Sequence, residues 1–193
     1  MEEHDTERIS LEARMLRAVR LETTLYDEVK ADTTANTQAF LAVGLSSLAL
    51  GIGLAVGVGL ETTSGILRTD VDWNQLVLLL LGPVVGGIVG WLVWSLLAYW
   101  LGTTILRQEG ASATYGGVLR AVGFANSPGL IGFLSLLPYV GIVVLLVVTI
   151  WMLIAQVLAL RQALHLSTSR AVGVWIASMT PFWVLNLLAF WLA

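Results

Sequence analysis

Charged and apolar positions are segregated along this chain. Four stretches contain no Asp, Glu, Lys or Arg: 33–60, 73–106, 121–160 and 171–193. A helix that crosses a bilayer needs about 20 mostly apolar residues, and one charge at its centre costs roughly 2.5–3.5 kcal/mol. Every stretch meets that length. As a single helix the third would extend about 60 Å, twice the hydrocarbon thickness of about 30 Å. It therefore folds back, and Pro138, within Leu137-Pro138-Tyr139-Val140-Gly141, is the breaker that places the turn. The pattern predicts an all-α polytopic membrane protein with five transmembrane helices, at about 36–60, 74–101, 116–137, 139–164 and 171–192. Asn36 stands where the first of them would be N-capped. Residues 1–35 precede the spans as a cytoplasmic amphipathic arm, and residues 36–193 form the membrane domain.

Composition removes the soluble alternative. Charged residues make up 12% of the chain, against about 25% in a soluble domain. The basic residues test the span count. Five spans put Arg8, Arg14, Arg17, Arg20, Lys30, Arg107, Arg120, Arg161 and Arg170 on one side and leave Arg68 alone on the other. That asymmetry is the positive-inside pattern. It sets the N-terminus inside and the C-terminus outside, in a cytoplasmic membrane. A four-span arrangement would split the basic residues between the two sides.

The arm holds mixed charge and does not open like a signal peptide. Residues 8–30 read as an amphipathic helix, with Leu11, Met15, Ala18, Leu25 and Val29 on one stripe and Glu22 interrupting it. Arg14, Arg17 and Arg20 lie off that stripe, placed to face water or lipid phosphates if the helix lies in the membrane interface. Packing under the protein's own spans and binding a partner are the other two readings of the same pattern.

Small residues recur at four-residue intervals: Gly51, Ala55 and Gly59; Gly53 and Gly57; Gly82, Gly86 and Gly90; and Ala113, Gly117, Ala121, Ala125 and Gly129. Such stripes let helices approach closely in lipid, within one bundle or between two copies. Pro83, Pro128, Pro138 and Pro181 all fall inside apolar runs and are the expected helix breaks. An interior proline frees the carbonyl one turn earlier. That is Leu79 for Pro83, Phe124 for Pro128 and Ala177 for Pro181.

Arg120, Asn126, Ser127, Gln156 and Asn186 are the polar residues to explain inside the apolar zone. Arg120 and Ser127 share a helix face, and Asn126 points elsewhere. A hairpin centred on Pro138 brings Gln156 level with the segment from Arg120 to Gly123. The expectation is a polar cluster of Arg120 and Gln156, with Ser127 and Asn126 nearby. It would serve as a structural network or as a ligand contact.

No catalytic grouping is legible. His4 and His165 are the only histidines, cysteine is absent, and no acid lies within a span. There is no Gly-x-Ser-x-Gly and no phosphate-binding Gly-Lys-Ser/Thr loop. An enzyme, a bound metal and a cofactor are not expected. Basic residues are too few for nucleic-acid binding.

The stretch from Tyr115 through Arg120, Gly123-Phe124-Ala125 and Asn126-Ser127-Pro128 resembles the central signature of the Yip family, the Ypt-interacting proteins. Leu137-Pro138-Tyr139-Val140-Gly141, Trp151 and Arg161-Gln162-Ala163-Leu164 continue the likeness. The arm, with Tyr26 and Val29, is similar to short prokaryotic members. The resemblance implies a five-span domain with a cytoplasmic N-terminus. It also implies roles tied to membrane-protein partners, which in eukaryotic members include Rab-type GTPases and membrane shaping. The short arm leaves a GTPase partner open. A non-enzymatic scaffold or adaptor for membrane partners or lipids is the function expected, with self-association in view. A small solute or ion transporter, with its polar site between the third and fourth spans, is the alternative.

Overall fold

A computed structural model describes residues 9–62, 73–105, 113–137 and 139–192. Among these the chain is helical throughout, with no strand. The helices are α1 (Leu11–Val19), α2 (Thr23–Ala31), α3 (Asn36–Thr62), α4 (Trp73–Thr104), α5 (Tyr115–Ala125), α6 (Gly141–Ala163) and α7 (Thr168–Leu192). Two 3-10 segments join them, a single turn at Thr33–Ala35 and a longer run at Ser127–Leu136.

Among the described residues three stretches of helix are long and apolar enough to cross a membrane: Thr33–Leu54, Leu80–Thr104 and Gly141–Ala163. Their outer faces are apolar as well. Leu78, Leu81 and Val85 of α4 and Ile142, Leu146 and Ile150 of α6 are all exposed. A surface of this kind is stable against hydrocarbon, not water. The chain is thus a multi-pass membrane protein.

The arm differs from its expected form. One helix over 8–30 becomes two, because α1 ends at Arg20 and the chain reverses through Leu21, whose φ is 60°. The Leu21 amide donates to the Ala18 carbonyl and the Glu22 amide to the Arg17 carbonyl, each at 3.0 Å. This is the αL-terminated cap that closes a helix end, and it falls where Glu22 interrupts the apolar stripe. The stripe itself is used as read: Met15, Ala18, Leu25 and Val29 are buried, in one core with residues of α3 to α7. The capping role also moves. Asp32 Oδ1 accepts from the Thr34 amide at 2.9 Å, and Asn36 already has helical backbone angles.

The third expected span, 116–137, is not one helix. α5 stops after 11 residues, and the next ten, Ser127–Leu136, form a 3-10 segment. Pro128 is the physical cause, since it lacks an N–H and forbids an α-helical bond to Phe124. The freed Phe124 carbonyl accepts from the Ser127 hydroxyl at 2.6 Å. By contrast, α4 runs on through Pro83 and α7 through Pro181. Those two prolines do not break their helices. In the turn before Pro181 the hydroxyls of Ser178 and Thr180 donate to the carbonyls of Trp175 and Ile176, as hydroxyls do where proline disturbs a membrane helix. Pro138 and the segments 63–72 and 106–112 lie outside the described residues, so the hairpin is seen from its flanks. The 3-10 segment ends at Leu136 and α6 starts at Gly141 and packs back along it.

The most extensive packing in the bundle joins α3 to the 3-10 segment. With three residues per turn, every third side chain of such a segment shares one face. Gly129, Gly132 and Ser135 form that face and are buried. A Cβ at Gly129 or Gly132 would meet the Leu50 side chain, and one at Gly53 would meet the Gly132 carbonyl and the Ser135 hydroxyl. Gly51 lies against the Pro83 ring. These glycines are therefore spent inside the bundle. Gly82, Gly86 and Gly90 differ, as among the described residues no atom of another element stands within 4 Å of where their Cβ would be.

This contrast gives a paired prediction. Alanine favours a helix over glycine by roughly 1 kcal/mol. Gly82→Ala should be neutral or stabilising. Gly53→Ala should destabilise by roughly 1–3 kcal/mol, because backbone stands where the methyl must go. Thermal unfolding of the two variants in one detergent checks both signs.

Candidate functional site

Arg120 lies one turn into α5 and is only 5% exposed. Its Nε donates to the Val29 carbonyl at 2.8 Å, Nη2 to the Lys30 carbonyl at 2.5 Å and Nη1 to Asn36 Oδ1 at 3.1 Å. Val29 and Lys30 sit in the last turn of α2, whose carbonyls lack helical partners and carry the negative end of the helix dipole. A planar, permanently charged guanidinium fits that end better than a lysine would. Arg120 thus clamps the arm to the membrane bundle.

The arm's cations face its own acids. Arg14 is buried and donates to Glu28 at 3.2 Å, to Gln38 at 2.8 Å and to Asp32 at 2.6 Å. Arg17 bonds Glu22 at 3.0 Å and the second oxygen of Glu28 at 2.7 Å. Arg20 is exposed at the end of α1. Lys30 bonds Asp27 at 2.7 Å and reaches the Gln162 carbonyl of α6 at 3.0 Å. The Thr34 hydroxyl, and after it Arg14, hold the Asp32 carboxyl below its ordinary value against partial burial. Trp151 of α6 adds a third tie, its indole N–H donating to the Val19 carbonyl at 2.9 Å.

The polar residues do not form the single cluster expected. Arg120 meets the arm, and Ser127 bonds the backbone at Phe124. Gln156 instead meets Asn126. Its Nε2 donates to Asn126 Oδ1 at 3.4 Å, and its Oε1 accepts from the Trp175 indole N–H at 2.9 Å. Asn126 Nδ2 in turn donates to the Val122 carbonyl at 2.8 Å. This chain of amides joins α5, α6 and α7.

Helix geometry explains why Gln156 pairs with Asn126 and not with the segment from Arg120 to Gly123. From Gly141 to Gln156, α6 rises about 22 Å at 1.5 Å per residue. On the returning strand of the hairpin the ten-residue 3-10 segment climbs about 20 Å at 2.0 Å per residue, so the same height is reached near 126. All-α geometry would have placed that height near 122.

Beside the amides lies a cavity of about 310 Å³ between α3, α4 and α7. Trp91 and Trp94 of α4 and Met179 and Phe182 of α7 wall it, and Asn126 and Gln156 border it. The Trp91 indole N–H is spent on the Leu119 carbonyl at 3.0 Å. That of Trp94, a residue 3% exposed, has no partner among the described residues. Trp175, Trp94, Asp32 and Glu28 were not singled out by sequence. A tryptophan in an apolar run reads as an interface anchor, and an arm acid reads as solvated. Nothing local marks either as a partner.

The Yip1 domain family model matches residues 24–193. The match spans most of the chain, from α2 through every helix that follows, so the chain belongs to the Yip1 domain family. No curated protein and no solved structure matches it.

Two predictions follow from the docked arm. Arg120→Leu leaves the end of α2 without its donor and should lower stability by roughly 2–3 kcal/mol. It should also expose the arm to limited proteolysis, with Arg120→Lys intermediate. Asp32 is held below its unfolded value of about 3.9. It therefore stabilises the docked arm above that pH, and the contribution is lost as pH falls through the lower folded value. Protection of residues 11–31 against hydrogen exchange, taken relative to the slower intrinsic exchange at low pH, should fall on acidification below about pH 4, and by less in Asp32→Asn.

Proposed function

We propose that this Yip1-domain chain is a non-enzymatic membrane scaffold or adaptor that organises membrane-protein partners or lipids. In this reading it has five spans in a cytoplasmic membrane, the N-terminal arm inside and the C-terminus outside. The observation that carries the reading is the Arg120 clamp. The most costly charge in the apolar zone is spent on fixing the arm to the bundle, not on chemistry. The clamp leaves a rigid inside-facing element whose outer side exposes Glu12, Arg20 and Asp27. α7, 25 residues long and apolar, supplies one further span beyond the three long apolar stretches. The pair formed by α5 and the 3-10 segment supplies the other, since together they rise about 36 Å. The positive-inside distribution of basic residues fits that count.

A small-solute transporter is the second reading, favoured by the cavity beside Asn126 and Gln156. One experiment separates the two. The chain is extracted gently from native membranes into lipid nanodiscs, and everything that co-purifies is identified by mass spectrometry. The scaffold reading expects a stoichiometric protein or lipid companion with the wild-type chain, and its depletion in Arg120→Leu nanodiscs that retain the bundle. A clean particle with no companion would overturn that reading in favour of the transporter.

A further inference from the structure

We propose that the cavity between α3, α4 and α7 is a binding site for a neutral, membrane-dissolved amphiphile, held through a hydrogen-bond-accepting head such as a ketone or ester carbonyl. Three features specify that chemistry.

The first is charge. Among the described residues no ionisable side chain lines the cavity. A charged head at this depth would be left without a counter-ion in a dry environment, which is costly. The ligand is therefore uncharged.

The second is a surplus of donors. Gln156 Nε2 carries two N–H groups and spends one, on Asn126 Oδ1 at the long distance of 3.4 Å. Asn126 Nδ2 spends one of its two on Val122. The indole N–H of Trp94 has no partner among the described residues, but its nitrogen is closed off from the cavity, so the two amides supply the donors. The amide oxygens, by contrast, are already engaged, Gln156 Oε1 by Trp175 and Asn126 Oδ1 by Gln156. Unspent N–H groups away from water are costly, and an acceptor oxygen relieves that cost.

The third is place and shape. The α4 residues that line the cavity, Gly87 to Trp94, sit near the middle of the apolar stretch Leu80–Thr104. A molecule reaches that depth through the hydrocarbon. Two indoles, Phe182 and Met179 offer it an apolar, polarisable wall. A volume of about 310 Å³ is at the small end of ligand pockets, enough for a carbonyl head and the first part of an alkyl chain. Gly90 borders this space, and a Cβ built there meets nothing. A larger side chain at 90 therefore has room at its Cβ and begins at the cavity wall.

The test uses the purified full chain in phosphatidylcholine nanodiscs and two probes of matched shape, 5-bromo-2-undecanone and 5-bromoundecane, whose bromine lies within the part of the chain that the cavity holds. Bromine quenches tryptophan emission at contact, and Trp91 and Trp94 report from the cavity wall. The ketone should quench saturably, at a membrane mole fraction about tenfold below that of the alkane, the worth of one net hydrogen bond in a dry site. Gly90→Leu should remove the saturable part while keeping the wild-type melting temperature. Equal quenching by ketone and alkane in the wild-type chain would overturn the proposal, showing a space that takes acyl chain or water without preference. A saturable ketone signal that survives in Gly90→Leu would overturn it as well, by placing the probe elsewhere. The wild-type comparison of the two probes stands even if the variant fails to fold. It needs neither a partner protein nor measurable flux, so its outcome is separate from that of the scaffold reading.

Discussion

In hydrocarbon no water is present to take up a backbone carbonyl that has lost its partner, so every break in a helix must be closed from within the protein. Pro128 imposes such a break, and much of the bundle follows from how it is closed. The Ser127 hydroxyl takes the Phe124 carbonyl and the Asn126 amide takes that of Val122. The chain beyond then continues with three residues per turn. That pitch aligns Gly129, Gly132 and Ser135 on one buried face, and the face admits α3 at the distance where Gly53 meets the Gly132 carbonyl. The longer rise per residue also sets the height at which α6 meets α5. It brings Gln156 to Asn126, and with them Trp175 of α7.

The arm is held by a different economy of charge. Arg14, Arg17 and Lys30 are balanced by acids on the arm itself, so the segment is nearly self-neutral before it docks. Docking then rests on the Arg120 guanidinium against backbone carbonyls at the end of α2, with Trp151 on the Val19 carbonyl, Lys30 on the Gln162 carbonyl and Arg14 on Gln38 as further ties. The arm is accordingly not an appendage. Leu25, Tyr26 and Val29 are fully buried in the same core as α5 and α6, and the Yip1 domain match begins within α2.

Taken together, the polar groups in the apolar zone divide into two sets with different duties. Arg120 and its partners fix the N-terminal arm to the membrane bundle. Asn126, Gln156 and Trp175 tie three helices to one another while leaving N–H groups unspent beside a cavity. A scaffold that also holds a neutral amphiphile would use both sets at once, the first to face partners and the second to face the membrane interior.

The residues by themselves determined the membrane class, because four charge-free stretches of span length admit no other solvent. They also marked Met15, Ala18, Leu25 and Val29 as one apolar stripe and located the carbonyl that the break at Pro128 frees, since both follow from rules that act within a turn or two; the burial of Arg14 and Tyr26 was not legible there. The change of small-residue spacing from four to three at Gly129, Gly132 and Ser135 was present in the chain as a signal of the 3-10 pitch, though a weak one amid so many glycines. Tertiary structure alone decided what Arg120 does. Its partners lie 84 to 91 residues away, and two of the three are main-chain carbonyls. Every residue type carries a carbonyl, so a side chain that binds one leaves no mark on the partner's sequence. The pairing of Gln156 with Asn126 was hidden for a related reason. It depends on the summed rise of two segments of different pitch, a quantity fixed only once both have folded against α3.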